Sequence, residues 1–381
     1  MHVHVMVEPD VPFELFPAFG VTSIRDVGGS LTPLRVLQRQ LGTTTMAERI
    51  GPRLLICGPV LDGDPPLHPW MAITVDTPER ARSAVRFLSA QGVSCIKTYE
   101  GLAAEPFAAV IAEAHERRLP VAVHPSRAVT IRHAVELGAR GIEHLFLGRG
   151  DIAGVVVTPA IDSLPLWDRQ AILWNRVDMG SAAVRDLIHA FVMHHTFLTS
   201  GLVGDDATNL GSDADQVASP DNAVLPPETL RRWKNDTATS IMSGTLREKA
   251  AGGVRKRRQF LKAASDAGVP ILAGTGGPWL GSFLPGLAVH HEMSLMVKAG
   301  LSPLAALQSA TLNPAKFFNA VDTLGTIAPG RVADLVLLNG NPLADIANTQ
   351  SIVAVVVNGR YLDAKALADL AHRSTRTGPS P

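Results

Sequence analysis

The sequence predicts an α/β protein: a (β/α)8 barrel of the TIM type followed by a small β-sandwich-like module. Three observations predict it. Short apolar runs alternate with amphipathic helical stretches along most of the chain. Residues able to bind a metal close several of those runs in succession. The hydrophobic period then changes to two beyond residue 320.

The apolar runs are 21–26 (VTSIRD), 53–58 (RLLICG), 93–98 (VSCIKT), 121–124 (VAVH), 141–144 (GIEH), 196–200 (TFLTS) and 270–274 (PILAG). Strands that are apolar throughout and alternate with helices belong to a parallel sheet covered on both faces. Helical stretches fill the gaps. The stretch 78–91 opens on Asp76-Thr77-Pro78-Glu79, with Pro near the first helical position. Stretches at 104–118 and 130–138 follow, the latter ending on Gly138. Seven such units point to an eight-stranded barrel with its first strand missing. An open doubly wound sheet is the structural alternative, and the lack of a GxGxxG loop after any early strand counts against it.

Residues 203–255 are polar and turn-rich, then basic and helical, and read as an enlarged loop over the barrel mouth. The run Arg255-Lys256-Arg257-Arg258 reads as a solvated helix face, since the chain as a whole is neutral. The barrel is expected over 1–320, ending on a helix at about 303–319. The small β-module is expected over 321–365, where short strands are joined by Gly, Pro and Asn turns, with a disordered tail over 366–381.

Composition bounds the rest. The 381 residues are 46% hydrophobic, and 35 Lys+Arg balance 35 Asp+Glu, so no nucleic acid or membrane surface is expected as a partner. A small-molecule substrate is expected, and a homo-oligomer is compatible with this composition. Cys57 and Cys95 both end apolar runs. They allow one bridge at most, and two buried thiols are expected. No apolar run reaches the roughly 20 residues of a membrane span. Met1-His2-Val3-His4 is not a signal peptide, so the chain reads as cytoplasmic as written; secretion stays open if a leader was lost.

The chemistry lies at strand ends, where barrels keep their active sites. In an extended segment His2 and His4 fall on one side, so the pair can grip one metal ion. Lys97 ends VSCIK, His124 ends PVAVH and His144 ends GIEH. A single histidine at a strand end is usually structural. The order HxH, Lys, His, His on successive runs is far more specific.

On these residues the chain resembles the amidohydrolase superfamily, in particular its imidazolonepropionase-like and prolidase-like bacterial members. The segments that carry the resemblance include MHVH, GVTSIRDVGG, GVSCIKTY, PVAVHPSRAVTIRHAVELGARGIEHL, AGVPILAGT and LGTIAPGRVADLVLLNGNPLADI, and they span nearly the whole chain. The resemblance implies a divalent metal centre, most simply two zinc ions. His2 and His4 would bind one ion, and His124 and His144 the other. Lys97, carbamylated by carbon dioxide, would bridge them. It also implies a metal-activated hydroxide attacking a C–N bond outside the protein main chain: an amide, a cyclic amide or a dipeptide. His290 resembles a family position near the substrate, with a structural histidine at a helix start as the alternative; Tyr99, read from the sequence itself, could orient the substrate or equally pack against a loop.

Two departures matter. Relatives read AGTD at the last strand, where the Asp is metal ligand and general acid/base. This chain reads Ala273-Gly274-Thr275-Gly276-Gly277. Gly276 can neither ligate nor carry a proton, and such groups typically contribute about 10²–10⁴-fold. The catalytic acid is therefore unassigned, with Asp205 or Asp206 as candidate substitutes. The other departure is at the front, where only Met1 precedes the HxH pair, as a truncated gene would leave it. Two readings follow: a metal-dependent hydrolase impaired at Gly276, or a catalytically silent barrel of the same family that binds a metal or small molecule. A non-metal lyase or isomerase would leave the order of ligands unexplained.

Overall fold

The computed structural model describes residues 2–3, 13–41, 50–148, 150–164, 166–204, 227, 231, 244–276 and 284–373. The barrel strands are short. They are β1 (His2–Val3), β2 (Ser23–Asp26), β3 (Arg53–Ile56), β4 (Val60–Asp62), β5 (Ala72–Thr74), β6 (Ile96–Thr98), β7 (Val121–Val123), β8 (Gly141–Ile142), β9 (Phe197–Thr199) and β10 (Ile271–Leu272). All their pairings are parallel. One sheet runs β1-β2-β3 and the other β10-β9-β8-β7-β6-β4-β5.

The predicted run 53–58 yields β3, and β4 follows after the chain turns at Gly58, where φ is +76°. A side chain there would be strained, and its Cβ would meet Leu31 Cδ2 at 2.9 Å. The bent run joins the two sheets: β3 pairs with β2 and β4 with β6. The Ser94 amide also donates to the Ile56 carbonyl at 2.7 Å. Counted as one, and with β5 set aside because it pairs only with β4, β3–β4 brings the staves to eight. The strand expected to be missing is present as the two residues of β1, which pair in register with Arg25 and Asp26 of β2.

Helices cover the sheet as the alternation predicts. Thr77 caps Pro78–Ala90, its Oγ1 accepting from the Arg80 amide at 3.2 Å, and Thr130 caps Ile131–Glu136 in the same way. The helix Gly244–Asp266 lies against Leu166–Arg176. Gly253 permits the contact, since a Cβ there would sit 3.0 Å from the Ala171 carbonyl oxygen. This packing corrects the reading of 255–258 as a solvated face. Arg255 is exposed, but Lys256 donates to the carbonyls of Asn175 and Val177, and Arg257 is fully buried. A basic run four residues long must turn part of itself inward on a helix that packs along its length.

Cys57 and Cys95 correct a second expectation. Their Cα atoms lie 4.5 Å apart and the two are joined in a disulfide. β3 and the segment leading into β6 run side by side, so the two sulfurs meet in one buried cluster with Val27. The third correction is at the C-terminus. The module is a meander of β11 (Leu335–Leu338), β12 (Ile352–Val357) and β13 (Arg360–Asp363), as the period of two predicts. Ala364–Arg373 is then a helix rather than tail, because Leu367 and Leu370 pack on Val355 and Val357. Residues 374–381 lie outside the described residues.

Candidate active site

Lys97 is the middle residue of β6, which is buried on both faces, and its side chain is fully enclosed. Among the described residues its Nζ has no hydrogen-bond partner. An ammonium without partner or water is costly, so burial pulls the amine down to a pKa of about 7; nearby Glu143 raises it and Arg25 lowers it further. A lysine held this way is half neutral at neutral pH, the state in which an amine acts as nucleophile or ligand precursor.

Alternation along extended backbone puts Tyr99 on the same face as Lys97. The Tyr99 ring lies on that of His124, centroids 4.5 Å apart, and meets His68 at 5.6 Å. Burial, with Glu100 and Asp62 nearby, keeps its hydroxyl protonated well above the usual phenol range. His124 directly follows β7 and is 4% exposed. Its ring is 5.3 Å from that of His144, edge to face, and 5.6 Å from Phe146.

His144 reaches this cluster by a backbone irregularity. Regular alternation would send it away from the face of Glu143. Its φ of +66° breaks the alternation and folds the ring over Phe146, stacked at 5.0 Å. Glu143 keeps its own direction and takes an ion pair from Arg25, Nη2 to Oε1 2.7 Å, with Arg25 5% exposed and Glu143 fully buried. Arg25 does not turn to its neighbour on β2. Asp26 instead accepts from the Gly28 amide, since neighbours on one strand face opposite sides.

Tyr99, His124 and His144 share one ring cluster, and Lys97 lies two positions before Tyr99, buried near Glu143 and Arg25. His2 lies in β1, where only the backbone is described; its partner in register is Arg25. His4, Asp205 and Asp206 lie outside the described residues. His290 takes no place in the cluster. It is buried on the helix Leu287–Lys298, with Nδ1 at 2.9 Å from Thr349 Oγ1 and Nε2 at 2.9 Å from the Phe19 carbonyl oxygen. Both ring nitrogens are taken up holding that helix to its neighbours. Gly276 follows β10 with φ +65°, and a Cβ built there meets nothing within 4 Å. His194 caps the helix Ala182–Met193, and both it and His195 are exposed.

Sequence reasoning missed the polar wall beside His124. Glu100, at the end of β6, accepts from Arg127 Nε at 2.7 Å and from Arg169 Nη2. Arg169 Nη1 lies 3.7 Å from Asp162. Arg127 was legible as the third residue after His124; Glu100 and Arg169 are 69 positions apart and carry no joint signal.

No cluster of three or more His, Cys, Asp or Glu forms a complete cage among the described residues. The donor set nonetheless fits a divalent metal in kind. Two imidazoles converge, and a buried amine with no partner points to a missing ligand or modification.

The sequence pattern of the amidohydrolase family matches residues 19–362. The chain belongs to the amidohydrolase family. Among curated proteins it is similar to adenine deaminase 2 of Jannaschia sp. (strain CCS1), 36% identical over 91 residues, which is 24% of this chain and 15% of the relative. It is also 27% identical over 172 residues to the adenine deaminase of Bacillus velezensis, 44% of this chain and 27% of the relative. The matches thus span less than a third of either relative's length. Among solved structures it resembles bottromycin amidohydrolase, at TM-score 0.71, 22% identity, 97% of this chain and 76% of that one. It also resembles a Xaa-Pro dipeptidase with bound methionine in the active site, at TM-score 0.65, 19% identity, 95% of this chain and 85% of that one. These two likenesses establish the fold.

Proposed function

We propose that the chain is a metal-dependent hydrolase that cleaves a C–N bond outside the protein main chain: an amide, a cyclic amide or a dipeptide. The observation that carries this is Lys97, an amine neutralised by burial and without a hydrogen-bond partner among the described residues, two positions before Tyr99, whose ring packs on the His124–His144 pair. His124 and His144 would hold one divalent metal, most simply zinc. His2 and His4 would hold a second, with a carbamate on Lys97 between them. Such a centre supplies Lewis-acid polarisation of the carbonyl and a water of lowered pKa. The chain's own side chains do the rest. Phe146 fixes the plane of His144, and Tyr99 fixes that of His124. The Tyr99 hydroxyl, protonated at all working pH, can donate to the substrate. The relatives' names, adenine deaminase and Xaa-Pro dipeptidase, support the C–N class.

Gly276 limits the activity. With no carboxylate there, transfer of a proton to the leaving amine lacks its usual carrier. A second reading, a silent barrel that binds a metal or small molecule without turnover, draws on the same residue. Metal analysis together with an amidase panel separates the two. Two ions per chain and slow turnover, rising about 10²–10⁴-fold in Gly276→Asp, is the expected result. Turnover unchanged by Gly276→Asp would show that the carboxylate is not what is missing. Metal uptake with no turnover in either form would favour the silent barrel.

A further inference from the structure

A pocket opens against the wall of His124, lined among others by Glu100, Ser126, Arg127, Asp162, Arg169 and Gln170. Most of its polar atoms are already committed. Ser126 Oγ donates to the Leu102 carbonyl at 2.9 Å and accepts from the Ala128 amide at 3.0 Å. The Gln170 amide bonds both the amide and the carbonyl of Leu147. Arg169, 7% exposed, is held by Glu100 on one side and Asp162 on the other.

Arg127 differs. Its Nε is fixed by Glu100 at 2.7 Å and its side chain is 50% exposed. Neither terminal nitrogen has a bond among the described residues. A guanidinium clamped at Nε has a fixed plane and offers its two terminal N–H groups side by side, which matches the two oxygens of a carboxylate. The four charged groups balance, two against two, so the pocket is not a general trap for anions. It offers one oriented fork.

We propose that Arg127 is a specificity-determining residue that selects substrates carrying a carboxylate beside the scissile C–N bond, such as N-acyl amino acids and dipeptides, over neutral cyclic amides. This rests on the hydrolase reading above for its substrate class, but not for the binding it predicts. His124 and Arg127 stand three residues apart in the turn after β7 and line one pocket. With the carboxylate on the half-exposed guanidinium, an acyl group can therefore face His124. Glu100 and Arg169 act as positioning residues behind it.

The test is calorimetric titration of the full chain with N-acetyl-L-leucine and with N-acetyl-L-leucinamide, which differ only in the carboxylate. The acid should bind about tenfold tighter or more. Arg127→Gln retains a donor for Glu100 but loses the charge. It should bring the ratio to about one and leave the affinity for the amide unchanged. Arg127→Lys should restore part of the ratio. Equal binding of acid and amide to the unaltered chain, no binding of either, or a ratio that survives Arg127→Gln would each overturn the proposal. A ratio that behaves as stated, with no turnover of any amide, would uphold the carboxylate site and sink the hydrolase reading. Turnover with no ratio would do the reverse.

Discussion

Arg25 of β2 reaches Glu143 at the end of β8, Nη2 to Oε1 2.7 Å, while its guanidinium carbon lies 4.7 Å over the Phe317 ring. Breaking a buried pair by removing one partner strands the other charge, at a cost of about 3–5 kcal/mol. Glu143→Ala and Arg25→Ala should each lower the free energy of unfolding by that order. Arg25→Ala combined with Glu143→Ala should cost clearly less than the sum. Urea unfolding of the four chains forms a double-mutant cycle, and additive losses would show that the pair is not coupled.

Lys97 should destabilise the metal-free chain. Its amine titrates near pH 7 when folded against an ordinary 10.5, so the unfolded chain binds more protons between those values. Stability from this group therefore rises with pH from about 7 to 10.5 and is lowest below 7. Lys97→Met should be more stable by about 3–4 kcal/mol at pH 7, with the gain shrinking as pH approaches 10. Chemical denaturation of both chains at pH 6, 8 and 10 measures it, and a pH-independent gain would contradict the burial of a neutral amine.

Asp151 titrates in the opposite sense. It is buried, accepts from the amides of Ile131 and Gly148, and burial raises its carboxyl to about 6 from the ordinary 3.8. The stability it contributes is full below about pH 4 and is lost as pH rises through about 6, a change of about 3 kcal/mol. Asp151→Asn should flatten the stability profile in that window. The readout is the difference in unfolding free energy between the two chains at pH 4.5 and 7.

The disulfide closes a loop with a sequence separation of 38. Loop-closure entropy assigns such a bridge about 4 kcal/mol in the unfolded chain, less whatever strain it brings. Cys57→Ala with Cys95→Ala should unfold at lower denaturant by about 2–4 kcal/mol. Matching midpoints for the two chains would mean the thiols are not bridged in solution.

Much of this was legible in sequence because it repeats locally. The alternation of apolar runs and helices, the Thr77 cap and the residues Lys97, His124 and His144 all depend on neighbours within one unit. Features that depend on two distant segments were not. The disulfide needed β3 laid beside β6, and the Glu100–Arg169 pair joins strand end to distant helix. His144 joins the ring cluster although simple alternation opposes it to Glu143, and its positive φ is a backbone feature that sequence does not announce. The placing of His290 outside the ring cluster was hidden for a related reason. A histidine at a helix start carries no mark of whether it faces the site or, as here, fastens Phe19 and Thr349.

The bend at Gly58 gives the molecule a joint. On one side hangs the sheet of β1 and β2, on the other the sheet that bears Lys97, His124 and His144, and the Cys57–Cys95 bridge bolts the two together at that point. Anything else gripping both sheets, such as an ion shared between β1 and β6, would be a second bolt on the same hinge. Each fastening would then mask the loss of the other. Reduction and chelation together would then cost more than the sum of the two taken singly.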